Sequence, residues 1–400
     1  MSMIKKISHA SHQSVFIVVA IGLVSLAIAM GVGRFSFTPL MPLMVRDGTL
    51  NPTTATEWAT ANYIGYLIGA LAASRFRHQP ILGLKIGLLG VCFTTIGMIG
   101  VSDAYALGGL ILRGSAGVFS AWVMVCASGW CLPELARQGA SSLGGWIYTG
   151  VGLGIAVTGV MSWLGGNQTA MALWIELGLI AMAGAIFVLL TTKSEATSLQ
   201  KIEAPVNETE GLYISSIRKN RGLIFCYSAF GFGYIIPATY LPMMAKQLVE
   251  APLVFGLTWP IFGAAAALSV AMVTRWLVKR PRQKIWAIAQ AVMALGTLLP
   301  IVHESLWILS LSAVLVGGTF MVTTMAGLQL ARERMPANPT PLLAQMTAAF
   351  AGGQIAGPLF IWMIGAESFF GLNALNLANA VSTVLLVSTS VWLWREADHK

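Results

Sequence analysis

Residues 31–44 read GVGRFSFTPLMPLM, and residues 231–244 read GFGYIIPATYLPMM. At this shift Gly31 matches Gly231, Gly33 matches Gly233, Pro42 matches Pro242 and Met44 matches Met244. The register carries on outward from there. Arg46 corresponds to Lys246, Arg75 to Arg275, Gly117 to Gly317, Gly152 to Gly352, and Ile155-Ala156 to Ile355-Ala356. Agreement at a single shift over so much of the chain marks an internal duplication.

What is duplicated is set by composition. Hydrophobic residues make up 56% of the 400 residues and charged ones only 10%, against about a quarter charged in a soluble domain. So little polar surface cannot cover a water-facing body, so most of the surface faces lipid. A bilayer core takes roughly 20 apolar residues in a helix. Twelve runs of that kind are expected: 14–44, 54–74, 81–101, 105–132, 143–164, 170–190, 222–244, 252–274, 285–302, 306–330, 342–364 and 370–394. Lipid offers no partner to an open strand edge, so the runs are helices. They are also too long and continuous for the alternating strands of a membrane barrel.

The expected fold class is therefore an all-α integral membrane protein of two six-helix bundles, 14–190 and 222–394. They are flanked by an N-terminal tail (1–13) and a C-terminal tail (395–400), and joined by a linker at 191–221, TTKSEATSLQKIEAPVNETEGLYISSIRKNR. Basic residues orient it. Of the 24 Lys and Arg, the outer loops keep Arg46 and Lys246, and Arg34 and Arg113 fall inside helices. The remainder collect on the side of both termini, which are expected in the cytoplasm of a bacterial cell, with the helices in its inner membrane. The net charge of +9 is thus a topology signal, and no nucleic-acid partner is expected. Lys5, Lys6 and the run to Ala27-Ile28-Ala29 imitate a cleaved leader, but the apolar run continues, and its continuation has a partner in the second half. The four cysteines show no metal-type spacing and read as buried small residues.

A parallel six-helix repeat places a solute site near the bilayer midplane between the halves. The sequence resembles the major facilitator superfamily over essentially its whole length. Arg113-Gly-Ser-Ala-Gly117 is similar to that superfamily's Arg-containing helix-4 motif, and Gly144, Gly145, Gly150, Gly152, Gly154 and Gly159 to its glycine-rich helix 5. The opening GVGRFSFTPLMP looks closer still to the bacterial YbfB/YjiJ-type branch. Two departures stand out. The loop Ala72-Ala73-Ser74-Arg75-Phe76-Arg77 lacks the usual Asp, and Val151 follows Gly150 where antiporter versions carry proline.

Three ionisable residues lie well inside the expected helices: Arg34, Arg113 and Glu176. An ionised group there costs at least about 2.5–3.5 kcal/mol, so it faces a cavity or a partner. Arg34, after Gly31 and Gly33 and before Pro39, is a candidate for binding a carboxylate or phosphate through two parallel hydrogen bonds; the alternative is a snorkelling or structural cation. Its repeat partner Tyr234 is uncharged. Arg113 is a second candidate for substrate binding, or a structural anchor to backbone carbonyls of a neighbouring helix. Glu176 is the one carboxylate in a helix core and the candidate for proton coupling with Arg113, unless it is merely interfacial. Among uncharged residues Tyr234 and Gln354 are the favoured substrate contacts; Asn62, Gln345, Thr323 and Thr324, and aromatics such as Tyr63, Tyr66 and Trp259, are further possibilities.

No phosphate-cradling loop, His-Glu metal motif or nucleophile elbow is present. The expectation is a monomeric secondary transporter without cofactor or metal, moving a small organic solute by alternating access. An acid-bearing solute and proton coupling are favoured. The alternatives are efflux of neutral or cationic amphiphiles, or a sensor with the same fold. Reporter fusions after Lys201 and Lys400 are expected to read cytoplasmic, and fusions near Arg46, Asp103 and Lys246 periplasmic. An external C-terminus would overturn the even number of spans.

Overall fold

A computed structural model describes residues 14–76, 78–192, 209–249, 256–277, 280–335, 340–365, 368 and 371–398. The expected tail 1–13, residues 193–208 of the expected linker, and His399 and Lys400 lie outside them. The described chain is helical. Its long rods are α1 (Val15–Arg46), α2 (Pro52–Ala72), α3 (Pro80–Gly97), α4 (Ala106–Arg137), α5 (Trp146–Leu164) and α6 (Ala170–Thr191) in the first half. The second half holds α7 (Thr209–Leu248), α8 (Thr258–Trp276), α9 (Arg282–Val302), α10 (Leu306–Arg334), α11 (Thr340–Ile364) and α12 (Ala374–Asp398).

The starts follow local chemistry. The Asn51 side chain accepts from the Thr54 N–H ahead of Pro52 at the first turn of α2. Thr169 and Ser305 cap α6 and α10 in the same way. One boundary differs widely from expectation: α7 begins at Thr209, inside the stretch read as linker. Polarity marks where the membrane ends, not where a helix ends. Residues 209–221 hold one glycine and no proline, so nothing stops the helix from running on beyond the bilayer.

Among the described residues ten helices are long and apolar enough to cross a membrane. The two rods that fall short of that apolarity are α2 and α8, which are repeat-equivalent. The halves meet chiefly through α5 against α8 and α2 against α11, so both of these rods stand at the seam.

The duplication is visible in the packing. Within the first half α2 packs on α4, α4 on α3, α3 on α6 and α1 on α5; within the second, α8 packs on α10, α10 on α9, α9 on α12 and α7 on α11. The equivalence reaches single residues. A Cβ on Gly117 would run into the Asn62 carbonyl, and one on Gly317 into the Phe262 carbonyl. Asn62 and Phe262 are themselves one repeat apart.

Without water to drive helices together, close approach of small residues does it. At the seam between the halves, Gly152 lies against the Ala267 backbone and Gly263 against the Ala156 backbone. A side chain at either site forces α5 and α8 apart. Gly263→Val is expected to destabilise the purified protein by at least about 1–3 kcal/mol, read as a lower thermal unfolding midpoint in detergent. Gly352→Ala, where a Cβ meets nothing within 4 Å, is expected to leave the midpoint unchanged or slightly raised.

Candidate functional site

The site grows from an irregularity in α1. Residues Ala27–Phe35 wind as a π-helix between two α-helical stretches. Such wide turns are uncommon and often lie at functional sites. Two sequence features weaken the regular helix here. Pro39 returns no N–H to the turn before it, and Gly31 lets the Gly154 backbone of α5 come so close that a Cβ would collide with it.

The carbonyls of this stretch are taken up by α4. Arg113 donates from Nη1 to the Gly33 carbonyl (3.0 Å) and from Nη2 to the Arg34 carbonyl (2.9 Å). Ser120 donates to the Ala29 carbonyl (2.7 Å). Arg113 and Ser120 are two turns apart on one face of α4, so the pair grips the π segment along its length. In turn Asn62 of α2 donates to the Arg113 carbonyl (2.9 Å).

Arg34 leaves that segment pointing toward the second half. Its Nη2 donates to Gln354 Oε1 of α11 (2.6 Å), and Gln354 Nε2 donates to the Tyr234 hydroxyl of α7. Its Cζ sits 3.9 Å from the Tyr66 ring centre and 5.2 Å from that of Phe35. Arg113 Cζ lies 4.8 Å from the Phe37 ring. Aromatic faces offset part of the loss of water. On the far side, Tyr234 stacks with Phe320 and with Phe350, ring centres 5.5 Å away in each case.

Both arginines are only 3% exposed, yet neither forms an ion pair with any described carboxylate. Each also keeps its Nε–H buried and without an acceptor. They line one small cavity together with Phe35, Phe37, Thr38, Met41, Ala59, Tyr63 and Thr239. Around it the halves are joined by three further bonds. Thr38 donates to the Ala238 carbonyl (3.2 Å), Tyr63 and Thr239 share a hydroxyl pair (2.7 Å), and Lys246 donates to the Pro42 carbonyl (3.0 Å). The first has a sequence cause: Pro242, four residues on, has no N–H to give Ala238.

The description "Uncharacterised MFS-type transporter YbfB" belongs to the family whose model matches residues 26–392. The chain is a member of this family of MFS-type transporters. Solved transporters share its fold. The crystal structure of a point mutant of the nucleoside transporter NupG aligns with TM-score 0.72 at 12% identity, covering 94% of this chain and 99% of that one. A D-xylose-proton symporter aligns with TM-score 0.72 at 13% identity, covering 94% and 96%. A second crystal structure of NupG gives 0.69 at 12%, covering 96% and 100%. Among curated protein sequences none matches. This is a multi-pass membrane protein of the secondary-transport class, and not an enzyme.

Of the transporter's sequence-expected residues, Arg34, Arg113, Tyr234 and Gln354 come together in one connected group. Arg113 takes the anchoring geometry, both terminal nitrogens on backbone, while its side chain also lines the cavity. Glu176 is placed apart. It is half-buried on α6, lines no part of the cavity and pairs with neither arginine. The expected Glu176–Arg113 pair does not form because α6 packs mainly against α3 and α1. Thr38, Ser120 and Thr239 escaped the sequence reading, although Pro242 and the seven-residue step from Arg113 to Ser120 were usable signals.

An ammonium cannot reproduce the two-pronged grip of a guanidinium on separate carbonyls. Arg113→Lys is expected to cost about 1.5–3 kcal/mol, read as a lower thermal unfolding midpoint than that of the parent protein. An unchanged midpoint would mean that the fork does not hold the π segment.

Proposed function

We propose that this transporter carries a small organic anion, an acid group on a body with apolar or aromatic character, across the bacterial inner membrane by alternating access. The chain is read as twelve spans with both termini in the cytoplasm, α2 and α8 included, acting as a monomer. One observation carries the substrate reading: two buried guanidinium groups converge on one cavity with no carboxylate among the described residues to neutralise them. An uncompensated charge costs several kcal/mol in a low-dielectric interior. A ligand that brings the missing negative charge is therefore favoured over a neutral one.

Arg34 is the group for the acid. It bridges to the second half through Gln354 Oε1, a neutral acceptor at the place a carboxylate oxygen would take. Substrate binding replaces this contact by a charge-assisted one. The stacked rings of Tyr234, Phe320 and Phe350 supply a flat apolar wall for the rest of the solute. The aligned structures are described as carriers of nucleosides and xylose, neutral solutes at neutral pH. The unpaired arginines argue for a different head group here. Coupling through Glu176 is not part of this reading, because that side chain meets neither arginine.

A ligand-stabilisation screen pairing each organic acid with its amide tests the reading. Acids are expected to raise the unfolding midpoint and their amides to leave it unchanged. Arg34→Lys is expected to weaken binding of the best acid about tenfold or more, the loss of one charge-assisted bond. If Arg34→Lys binds and transports the identified solute normally, recognition of the acid by the Arg34 guanidinium is wrong.

A further inference from the structure

The hydrogen bonds around the cavity leave its spare donors on the two arginines. Thr239 donates to the Ile235 carbonyl (2.7 Å), so in the Tyr63–Thr239 pair the proton comes from Tyr63. Thr38 donates to the Ala238 carbonyl. The lining hydroxyls are therefore committed. What remains is on the two guanidinium groups: Arg34 commits only Nη2, to Gln354, and the Nε–H of each arginine is buried without an acceptor. The other walls are carbon: Phe35, Phe37, Met41 and Ala59.

We propose that this cavity is a binding site for a monovalent inorganic anion of the halide class, chloride under cellular conditions, held between Arg34 and Arg113. It rests on the same anion-seeking reading of the two arginines and adds a second ligand to it. Two features select a halide. The cavity has room for roughly one water-sized body, which a halide ion fits and an organic acid does not. The carbon walls also cost a halide less than they cost a strongly hydrated oxyanion. Such an ion offsets half of the positive charge of the two arginines while the two halves are clasped around it. An incoming organic acid competes for Arg34, so the two anions share one charge site at different stages of the cycle.

The test uses the purified full-length protein in detergent, exchanged into chloride-free sodium sulfate. Chloride is titrated in with sulfate held constant while thermal unfolding is followed. The expected result is a saturable rise in the midpoint that bromide reproduces and added sulfate of equal ionic strength does not. Arg34→Gln should raise the half-saturating chloride concentration about tenfold or more, and Arg137→Gln, near the exposed end of α4, should not. Equal midpoints with and without chloride for the parent protein would overturn the proposal. If Arg34→Gln does not fold, crystals grown in bromide locate the ion by anomalous scattering. A peak between the two guanidinium groups supports the site, and peaks only elsewhere overturn it. Organic acids are tested in the same chloride-free buffer. Stabilisation by acids alone removes the halide site and keeps the organic-anion reading. Saturable chloride binding that no organic acid displaces does the reverse.

Discussion

Arg113 commits two guanidinium nitrogens to carbonyls that an unbroken helix would keep for itself. In a membrane interior each such carbonyl must find a partner inside the protein, so α4 and the π segment of α1 are obligatory neighbours. The remaining geometry hangs on that bond pair. It fixes the rotation of α1, which aims Arg34 across the interface at Gln354, and it leaves the backbone of α1 close enough to Gly154 to exclude any side chain there. It also has an electrical consequence. Backbone carbonyls satisfy hydrogen bonds but carry no net charge, so the positive charge of Arg113 stays available to whatever enters the cavity.

Duplication supplied the frame, and divergence inside it supplied the chemistry. Position 34 is Arg in the first copy and Tyr at 234; position 154 is Gly in the first copy and Gln at 354. The first half thus contributes charge and an open backbone, and the second contributes neutral hydrogen-bonding groups among stacked rings. Gln354 reaches both Arg34 and Tyr234, joining the diverged pair through a residue that has diverged as well. A symmetric site would have set two arginines against each other across the interface with nothing to separate them.

Much of this was legible in the sequence, for identifiable reasons. The duplicated bundle follows from an apolar length set by the bilayer and from one register of glycines and prolines. Arg34 and Arg113 stand out because charge is costly in lipid, and that cost forces such residues toward protein. The same logic selected Glu176 and there it misled. Rarity says that a buried charge needs accommodation; only the arrangement of helices says by whom, and α6 lies away from α4. The hydroxyls of Thr38, Ser120 and Thr239 were hidden for a different reason. Most helical Ser and Thr residues bond their own preceding turn, and composition does not tell which will reach across to a neighbour. The π segment was hidden too. Gly31, Gly33 and Pro39 mark a weak stretch, but its winding depends on carbonyls that α4 happens to meet.

The bond from Thr38 to the Ala238 carbonyl joins residues one repeat apart. Two equivalent positions can touch each other only on the axis that relates the copies, as in an isologous interface where a residue meets its own counterpart. The backbone there is alike in both copies, with Pro42 four residues after Thr38 and Pro242 four residues after Ala238, so each copy has a carbonyl that its own helix cannot bond. Only Thr38 carries a hydroxyl, so the contact on the axis runs one way, from the first half to the second. Two identical chains meeting on the same axis would present the same groups from both sides; the diverged halves of one chain hold an unequal pair.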